Sequence, residues 1–213
     1  YGLEPSWHSH VYSCSFAWND IFPDPAKMVK QLNEKDYHVN LWTHAFTHPS
    51  SPIYQDLLPY AGDYQVWDGL VPDLLLPEAR QILANQYTRA HVDLGVSGYK
   101  LDECDNSDYN SKPWSFPELS EFPSGVDGEV MHSLFGSLYQ RTVKEIFDER
   151  KQRTYCSVRS SHALAAPFPF VLYSDLYNHK DFMRGLVNCG FSGLLWSPEV
   201  RDASSEEDLI RRL

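Results

Sequence analysis

The stretch SGYKLDECDNSDY, residues 97–109, decides the fold. Its first six residues predict a buried β-strand, yet Lys100 lies within this strand and Asp102 ends it. Further acidic residues follow at Glu103, Asp105 and Asp108. Because charged side chains are rarely buried without a partner, the pattern indicates that charged groups converge where this strand ends.

Segments with helix and strand patterns alternate on both sides of this stretch. Helices are predicted at residues 24–35, 77–94, 129–150, 180–188 and 204–213. Strands are predicted at 37–43, 97–102, 154–158, 169–173 and 192–196, with a long loop rich in Ser, Pro and Asn at 106–127. Such alternation predicts βαβ units around a parallel sheet. No GxGxxG or P-loop pattern is present, so the sequence favours a (β/α)8 TIM barrel over a Rossmann sheet.

The number of predicted strands bears on how much of a barrel the chain contains. Five or six strands do not close an eight-stranded barrel. The sequence therefore predicts one catalytic (β/α) barrel domain over residues 1–213, or a fragment of one. An incomplete barrel would leave sheet edges open, which is compatible with a homo-oligomer.

Composition narrows the classes of partner. The chain has 18 Lys and Arg residues against 29 Asp and Glu residues, a net charge of -11, and no basic patch that would predict a nucleic-acid partner. The sequence contains no run of 18 apolar residues, so no membrane-spanning helix is predicted. The sequence does not indicate where in the cell the protein is located. The four cysteines lack CxxC spacing and are predicted to be buried free thiols, namely Cys14, Cys104, Cys156 and Cys189.

Two acids stand just past predicted strands, and two cations stand near them. Asp102 and Asp175 are the acids, and Lys100 and Arg159 are the cations. Because catalytic residues of a TIM barrel lie at the carboxyl ends of its strands, these groups are predicted to meet. A carboxylate pair is what glycoside hydrolysis needs: an ionised nucleophile, kept so by a nearby lysine, and an acid with a raised pKa. By spacing alone, aspartates at strand ends are more often helix caps or surface loop acids than a catalytic pair.

Several ordered motifs give the chain a family resemblance. They are FPDPAKMVKQLNEKDYHVNLWTHAF (22–46), VWDGLVPDLLLPEARQILANQY (66–87), GYKLDECD (98–105), MHSLFGSLYQRTVKEIF (131–147) and VRSSHALAAPFPFVLYSD (158–175). Together they resemble the catalytic barrel of glycoside hydrolase family 31, which contains α-glucosidases, α-xylosidases and α-galactosidases. The resemblance implies that the first barrel strand and most of the second precede Tyr1, and that the last follows Leu213.

The resemblance also implies roles for individual residues. Asp102 matches the nucleophile and Asp175 the acid/base, with no metal or other cofactor. The residues implied to bind substrate are Glu4, Trp42, which forms an aromatic wall, and Lys100 and Arg159, which bind the sugar at the cleavage point. Lys100 and Asp102 are expected to be partners in the barrel mouth, and Asp105 is expected to support them.

The chain also departs from the family pattern. Tyr173-Ser174-Asp175 stands where Trp or His followed by Gly-Asp is usual, and its Ser-Asp pair is closer to a related α-galactosidase family. In LWSPEVRDA (195–203) a usual sugar-binding His is absent, and Glu199 or Arg201 is expected to replace it. Both departures argue against standard α-glucosidase specificity. The histidines His8, His10, His44 and His48 are interpreted as loop or sugar-contacting residues rather than metal ligands.

These observations predict a retaining, exo-acting α-glycoside hydrolase that removes terminal α-linked sugars from oligosaccharides by double displacement. The alternative is a barrel that binds carbohydrate without catalysis, or an inactive barrel fragment. Because glucose, galactose and xylose differ by one hydroxyl or one hydroxymethyl group, the sequence leaves the sugar and the linkage open.

Overall fold

The computed structural model describes residues 1–104, 115–159, 163–173, 175, 178–197 and 203–212. The strands in these ranges are β1 (Gly2–Leu3), β2 (Asn40–Thr43), β3 (Ala61–Val66), β4 (Gly69–Pro72), β5 (Gly98–Leu101), β6 (Tyr155–Val158), β7 (Val171–Leu172) and β8 (Leu195–Trp196). The helices are α1 (Pro25–Asn33), α2 (Tyr54–Leu57), α3 (Pro77–Ala90), α4 (Gly128–Glu149), α5 (His179–Phe191) and α6 (Glu206–Arg212).

Six of the strands form one parallel sheet. Their order is β1-β2-β5-β6-β7-β8, so each strand pairs with the next strand of the sheet in chain order. β3 and β4 form a separate antiparallel hairpin between β2 and α3. The parallel sheet with intervening helices confirms the predicted α/β class, and it is consistent with six strands of a barrel.

Local chemistry explains where the main helices begin. Asp24 accepts a hydrogen bond of 2.9 Å from the amide of Lys27 at the start of α1, and Asp127 accepts one of 2.9 Å from Val130 at the start of α4. The predicted helix 77–94 ends earlier, at Ala90, and continues as a 3-10 turn at Val92–Leu94. Gly95 follows in a left-handed conformation, with φ +99°, which closes the turn.

The hairpin β3–β4 and the short helix α2 were not predicted from the sequence, whereas β1 fits the end of the second barrel strand that the family resemblance implied at the start of the chain. β3 is mostly exposed and has no alternation of apolar and polar residues that would indicate a strand. Its turn is Trp67-Asp68, rather than one of the Gly-containing pairs that such turns favour. Of the predicted loop 106–127, residues 115–127 contain no helix or strand, and 106–114 lie outside the described residues.

The pleat of β5 separates its side chains into two faces. Tyr99 and Leu101 are buried on the side of the helices, where the Tyr99 ring lies 5.0 Å from that of Tyr87. Lys100 projects to the opposite face, because successive strand residues point in opposite directions. The strand begins at Gly98. A Cβ atom at this position would lie 1.9 Å from the Tyr155 carbonyl oxygen, so only glycine fits.

The strands are held in a register that aligns polar side chains on that face. Trp42 on β2, Lys100 on β5 and Ser157 on β6 are register partners. Because the strands are parallel, the residues that follow them emerge at one edge of the sheet. That edge carries the aspartates singled out by their spacing.

The core contains polar residues as well as apolar ones. All four cysteines are buried and free, as predicted. His8, His44 and His91 are fully buried. His8 and His44 lie outside the helices and strands, as expected of loop residues, but their buried rings are not exposed for contact with a sugar. Burial lowers the pKa of His44 and of His91 to about 4, and that of His8 well below its ordinary value, so all three imidazoles are neutral near pH 7.

No helix in the described ranges is both long and apolar enough to span a membrane.

Candidate active site

Asp102 lies at the centre of the site, directly after β5, and its carboxylate is held on several sides. The indole N–H of Trp42 donates to its Oδ2 at 2.6 Å. The backbone amide of Glu103 donates to its Oδ1 at 2.8 Å, and a guanidinium nitrogen of Arg159 donates to the same oxygen at 3.1 Å. The aspartate is 5% exposed, so these groups replace the water that would otherwise solvate its charge.

Arg159 connects Asp102 to the second predicted acid. The same guanidinium nitrogen that contacts Asp102 Oδ1 at 3.1 Å lies 2.8 Å from Oδ2 of Asp175. The two carboxylate oxygens can therefore be no farther apart than the sum of these distances, about 5.9 Å. The Asp175 side chain is 33% exposed against 8% for Asp102, so the two acids differ in their access to solvent.

The pKa of Asp102 is set by opposing influences. Burial alone would raise it, but the Arg159 charge, followed by the Tyr173 hydroxyl, the Trp42 indole and the Glu103 amide, lowers it below its ordinary value. The Tyr173 hydroxyl makes this contribution without a hydrogen bond of ordinary geometry, since its oxygen has no such partner. Asp102 is consequently ionised near neutral pH and is suited to act as a nucleophile.

Lys100 does not pair with Asp102, contrary to the sequence-based expectation. Its Nζ lies 3.1 Å from Glu4 Oε2, and it lies 5.1 Å from the centroid of the Tyr173 ring. Lys100 and Asp102 are two residues apart on a strand, so their side chains leave the same face at different heights. The lysine reaches sideways to the end of β1, and Arg159 supplies the cation for Asp102 instead.

Trp42 lies next to Asp102, in a contact that the sequence did not indicate. Its side chain is 2% exposed, and its indole N–H orients Asp102 rather than facing solvent. The Trp42 carbonyl oxygen accepts a hydrogen bond of 2.7 Å from the buried Trp7 indole. The tryptophan is thus fixed at both ends before any substrate is present.

Glu103 and Tyr173 belong to the site and were missed as functional residues. Glu103 has a left-handed backbone, with φ +61°, which turns its amide toward the preceding carboxylate. Nothing in the sequence signals that conformation. Tyr173 could have been found, because it stands two residues before Asp175 at a strand end and so shares its face.

The structure brings together six of the seven predicted site residues: Glu4, Trp42, Lys100, Asp102, Arg159 and Asp175. Glu199, the seventh, lies outside the described residues, as do Asp105 and Arg201. Among the residues that are described, no group of three or more His, Cys, Asp or Glu side chains is placed to hold a metal ion.

A cavity of about 590 Å³ lies along the inner face of the sheet. Glu4, Trp42 and Lys100 line it at the end near the site, and Asn40, Gly98 and Tyr155 line it where their strands begin. Asp102 and Asp175 are not part of its lining. The carboxylate pair therefore lies above this cavity, at the edge where the strands end.

A parallel sheet whose carboxyl edge carries a carboxylate pair bridged by an arginine has the arrangement expected at the catalytic face of a (β/α) barrel. The model of the glycosyl hydrolases family 31 TIM-barrel domain matches residues 3–212. The chain belongs to glycoside hydrolase family 31, which confirms the resemblance found in its motifs.

Two curated relatives are alpha-xylosidases. The one from Emericella nidulans is 20% identical, and the similarity covers 91% of this chain and 26% of that protein. The one from Lactiplantibacillus pentosus is 23% identical, and the similarity covers 68% of this chain and 20% of that protein. The chain thus spans about a quarter or less of the length of these relatives.

Solved structures share the fold at low sequence identity. A family 31 sulfoquinovosidase from E. rectale superposes with a TM-score of 0.78 at 16% identity, covering 96% of this chain and 34% of that one. A family 31 alpha-xylosidase from a soil metagenome, complexed with xylose, gives 0.72 at 17% identity over 90% of this chain and 30% of that one. A Flavobacterium johnsoniae dextranase gives 0.71 at 16% identity over 94% and 29%. These similarities confirm the predicted TIM-barrel fold.

Proposed function

We propose that this chain forms the catalytic centre of a retaining, exo-acting α-glycoside hydrolase, with Asp102 as the nucleophile and Asp175 as the acid/base. The substrate would be an α-glycoside or an oligosaccharide with an α-linked terminal sugar. Membership of glycoside hydrolase family 31 supports the reaction class. The arrangement of the two carboxylates supports the stereochemistry.

The observation that carries the proposal is the shared contact with Arg159. Its single nitrogen limits the separation of the nearest carboxylate oxygens to about 5.9 Å. Retaining glycosidases place their two carboxyl groups roughly 5–5.5 Å apart, whereas inverting enzymes need roughly 6.5–9.5 Å to admit a water molecule between them. The geometry therefore favours retention.

In the first step of the proposed reaction, Asp102 attacks the anomeric carbon of the bound sugar. The glycosidic bond breaks as Asp175 donates its proton to the departing oxygen, and the leaving group becomes an alcohol. The products of this step are a glycosyl ester on Asp102 and an ionised Asp175. The lowered pKa of Asp102 keeps the attacking group charged without a separate base.

In the second step a water molecule replaces the departed alcohol. Asp175 accepts a proton from that water, whose oxygen attacks the anomeric carbon and breaks the ester bond to Asp102. The sugar is released with its original α-configuration, and both acids return to their starting states. The partial exposure of Asp175 gives this residue contact with solvent, which suits a group that exchanges a proton in each cycle.

Arg159 would balance charge in both steps. Its guanidinium contacts both carboxylates. As negative charge leaves Asp102 and appears on Asp175, one fixed cation remains next to both groups. A preorganised charge of this kind stabilises the transition state without reorganisation.

A panel of chromogenic substrates identifies the terminal sugar and tests the retaining mechanism. We propose the panel of p-nitrophenyl α-glucoside, α-galactoside, α-xyloside and α-N-acetylgalactosaminide, offered to the full polypeptide that carries these 213 residues and to the chain alone. We expect hydrolysis of one of them, and the first sugar observed by NMR should be the α-anomer. A β-anomer as the first product would contradict the retaining mechanism. No hydrolysis by either protein would leave the non-catalytic carbohydrate-binding barrel as the better interpretation.

Replacing Tyr173 by phenylalanine tests the proposed nucleophile from a neighbouring position. The hydroxyl lowers the pKa of Asp102, so its removal should move the acid limb of the kcat/KM profile to higher pH. We expect kcat/KM to fall about threefold to tenfold, which corresponds to a loss of about 0.6–1.4 kcal/mol in electrostatic stabilisation of the Asp102 carboxylate. Because the hydroxyl is buried without a hydrogen bond, thermal unfolding should occur at the same or a higher temperature. An unchanged pH profile together with a lower unfolding temperature would assign Tyr173 a purely structural role.

A further inference from the structure

Three chain segments meet beside the site and are tied together. The segment after β1 pairs with the segment after β2 through a bridge between Cys14 and Thr47. Thr47 pairs in turn with Leu70 of the β3–β4 hairpin. Both segments leave the carboxyl ends of parallel strands, so this assembly stands at the same edge of the sheet as the carboxylate pair.

A row of aromatic rings leads outward from Asp102 across this assembly. The Trp42 ring, whose indole binds Asp102, lies 5.1 Å from the His44 ring. The His44 ring lies 5.4 Å from Trp67, and Trp67 lies 5.7 Å from Tyr12 at an interplanar angle of 72°. Exposure increases along the row: His44 is fully buried, Trp67 is partly buried and Tyr12 is 51% exposed.

The outer end of the row is held in an unfavourable backbone conformation. Tyr12, Trp67 and Asp68 have φ angles of +75°, +49° and +60°. A positive φ is unfavourable for bulky residues, and such conformations are concentrated at binding and catalytic sites. Asn or Gly would adopt the same backbone conformation with less strain. The chain nevertheless has aromatic residues at Tyr12 and Trp67.

The buried His44 fixes Tyr12 in this conformation. Its Nδ1 accepts a hydrogen bond of 3.2 Å from the Phe46 amide, which leaves the proton on Nε2. That Nε2 donates to the Tyr12 carbonyl oxygen at 3.0 Å. The exposed ring is therefore anchored through its backbone, and its side chain is not needed for the anchor.

The segments that carry Tyr12 and Trp67 also carry polar side chains close to them in sequence. The rings of His10 and His48 stack in parallel at 3.3 Å, joining the segments after β1 and β2. Asp68 is exposed in the hairpin turn and interacts electrostatically with His48. An exposed aromatic face with hydrogen-bonding groups at its margin suits a sugar ring, which has a flat C–H face and polar hydroxyls.

We propose that Tyr12 and Trp67 form a platform that binds a second sugar unit of an oligosaccharide, next to the unit that is cleaved. The proposal rests on the proposed glycosidase function, because the row of rings connects the platform to the carboxylate of Asp102. A monosaccharide derivative with a small leaving group has no second sugar unit to place on this platform. The platform thus selects for chain length rather than for the terminal sugar.

The variant Tyr12→Asn tests the platform with little risk to folding. Asparagine tolerates a left-handed backbone, so the ring is removed while the strain decreases, and the unfolding temperature should stay equal or rise. Tyr37→Asn is the matched control, since Tyr37 is 53% exposed and precedes β2 at the opposite end of the sheet. Each variant is assayed with the α-glycosyl fluoride that the wild type hydrolyses best among glucosyl, galactosyl and xylosyl fluoride. The second substrate is an oligosaccharide with the same terminal sugar: maltotriose or isomaltotriose, raffinose, or isoprimeverose.

We expect Tyr12→Asn to lower kcat/KM for the oligosaccharide about threefold to tenfold, the value of one aromatic contact, and to leave the fluoride unchanged. Tyr37→Asn should change neither. Equal losses on both substrates, no loss on either, or the same loss with Tyr37→Asn would overturn the platform.

Binding separates this proposal from the proposed function. Calorimetric titration of all four oligosaccharides into an Asp102→Asn background reports affinity without turnover. A Kd weakened threefold to tenfold by Tyr12→Asn supports the platform even if the wild type hydrolyses nothing, in which case only the glycosidase proposal fails. No binding of any of the four, or binding indifferent to Tyr12→Asn, overturns the platform.

Discussion

Asp102→Ala is expected to lower kcat/KM for the preferred p-nitrophenyl α-glycoside on the order of 10⁴-fold, because the reaction loses its nucleophile. Added azide should restore part of the turnover by entering the space that the carboxylate leaves. Azide would then attack from the face opposite the leaving group in a single displacement. The product should be the β-glycosyl azide, which NMR identifies.

Asp175→Ala is the matched control for that experiment. Loss of a general acid costs about 10²–10⁴-fold, and less for a substrate whose leaving group needs no proton. Here azide would attack the glycosyl ester on Asp102 from the side that Asp175 occupies, and the product should be the α-glycosyl azide. If the two variants gave the opposite anomers, the roles of Asp102 and Asp175 would be exchanged.

Arg159→Met should have the second-largest effect, because one side chain compensates both carboxylates. Arg159 makes the largest single contribution to lowering the pKa of Asp102, so its loss should move the acid limb of kcat/KM to higher pH. We expect kcat/KM to fall on the order of 10²–10³-fold, as for other preorganised electrostatic groups. The arginine and Asp102 side chains are 16% and 8% exposed, so an unpaired carboxylate should also lower the unfolding temperature.

Arg159→Lys provides the control for charge alone. Lysine keeps the cation but lacks the planar fork of guanidinium donors. In Arg159→Lys the acid limb of the kcat/KM profile should lie close to its wild-type pH, whereas kcat/KM itself should recover only in part. If Arg159→Met had the same kcat/KM as the wild type and the same acid limb in its pH profile, Arg159 would not set the charge state of Asp102 and Asp175.

Strand order accounts for what the sequence predicted about the site. Asp102 and Asp175 each stand just past a predicted strand, and parallel strands bring such positions to one edge whatever the packing details. Residues whose role depends on a partner were harder to predict. Lys100 was assigned to Asp102 because the two are close in sequence, whereas the register of β1 and β5 against β2 places Glu4 beside the lysine.

The hairpin and the left-handed residues mark the limit of prediction from sequence. The β3–β4 turn is built from Trp67 and Asp68, one residue before the Asp68-Gly69 pair that would ordinarily mark such a turn. The Trp67 ring packs against His44 and Phe46, contacts that the sequence does not indicate. The same holds for Glu103, whose backbone aims an amide at Asp102. The proposed contribution of Glu199 stays a prediction, because that residue lies outside the described ranges.

The buried histidines tie the stability of the fold to acidity. His44 and His91 stay neutral in the folded chain down to about pH 4, but once unfolded each takes up a proton below its ordinary value of 6.5. Lowering the pH from 6.5 to about 4 therefore decreases the free energy of unfolding by about 3 kcal/mol for each of these two imidazoles. His8 adds to the effect in the same direction. Since His44 also anchors Tyr12 and packs against Trp42, mild acid would weaken the scaffold of the site while Asp102 itself remained ionised.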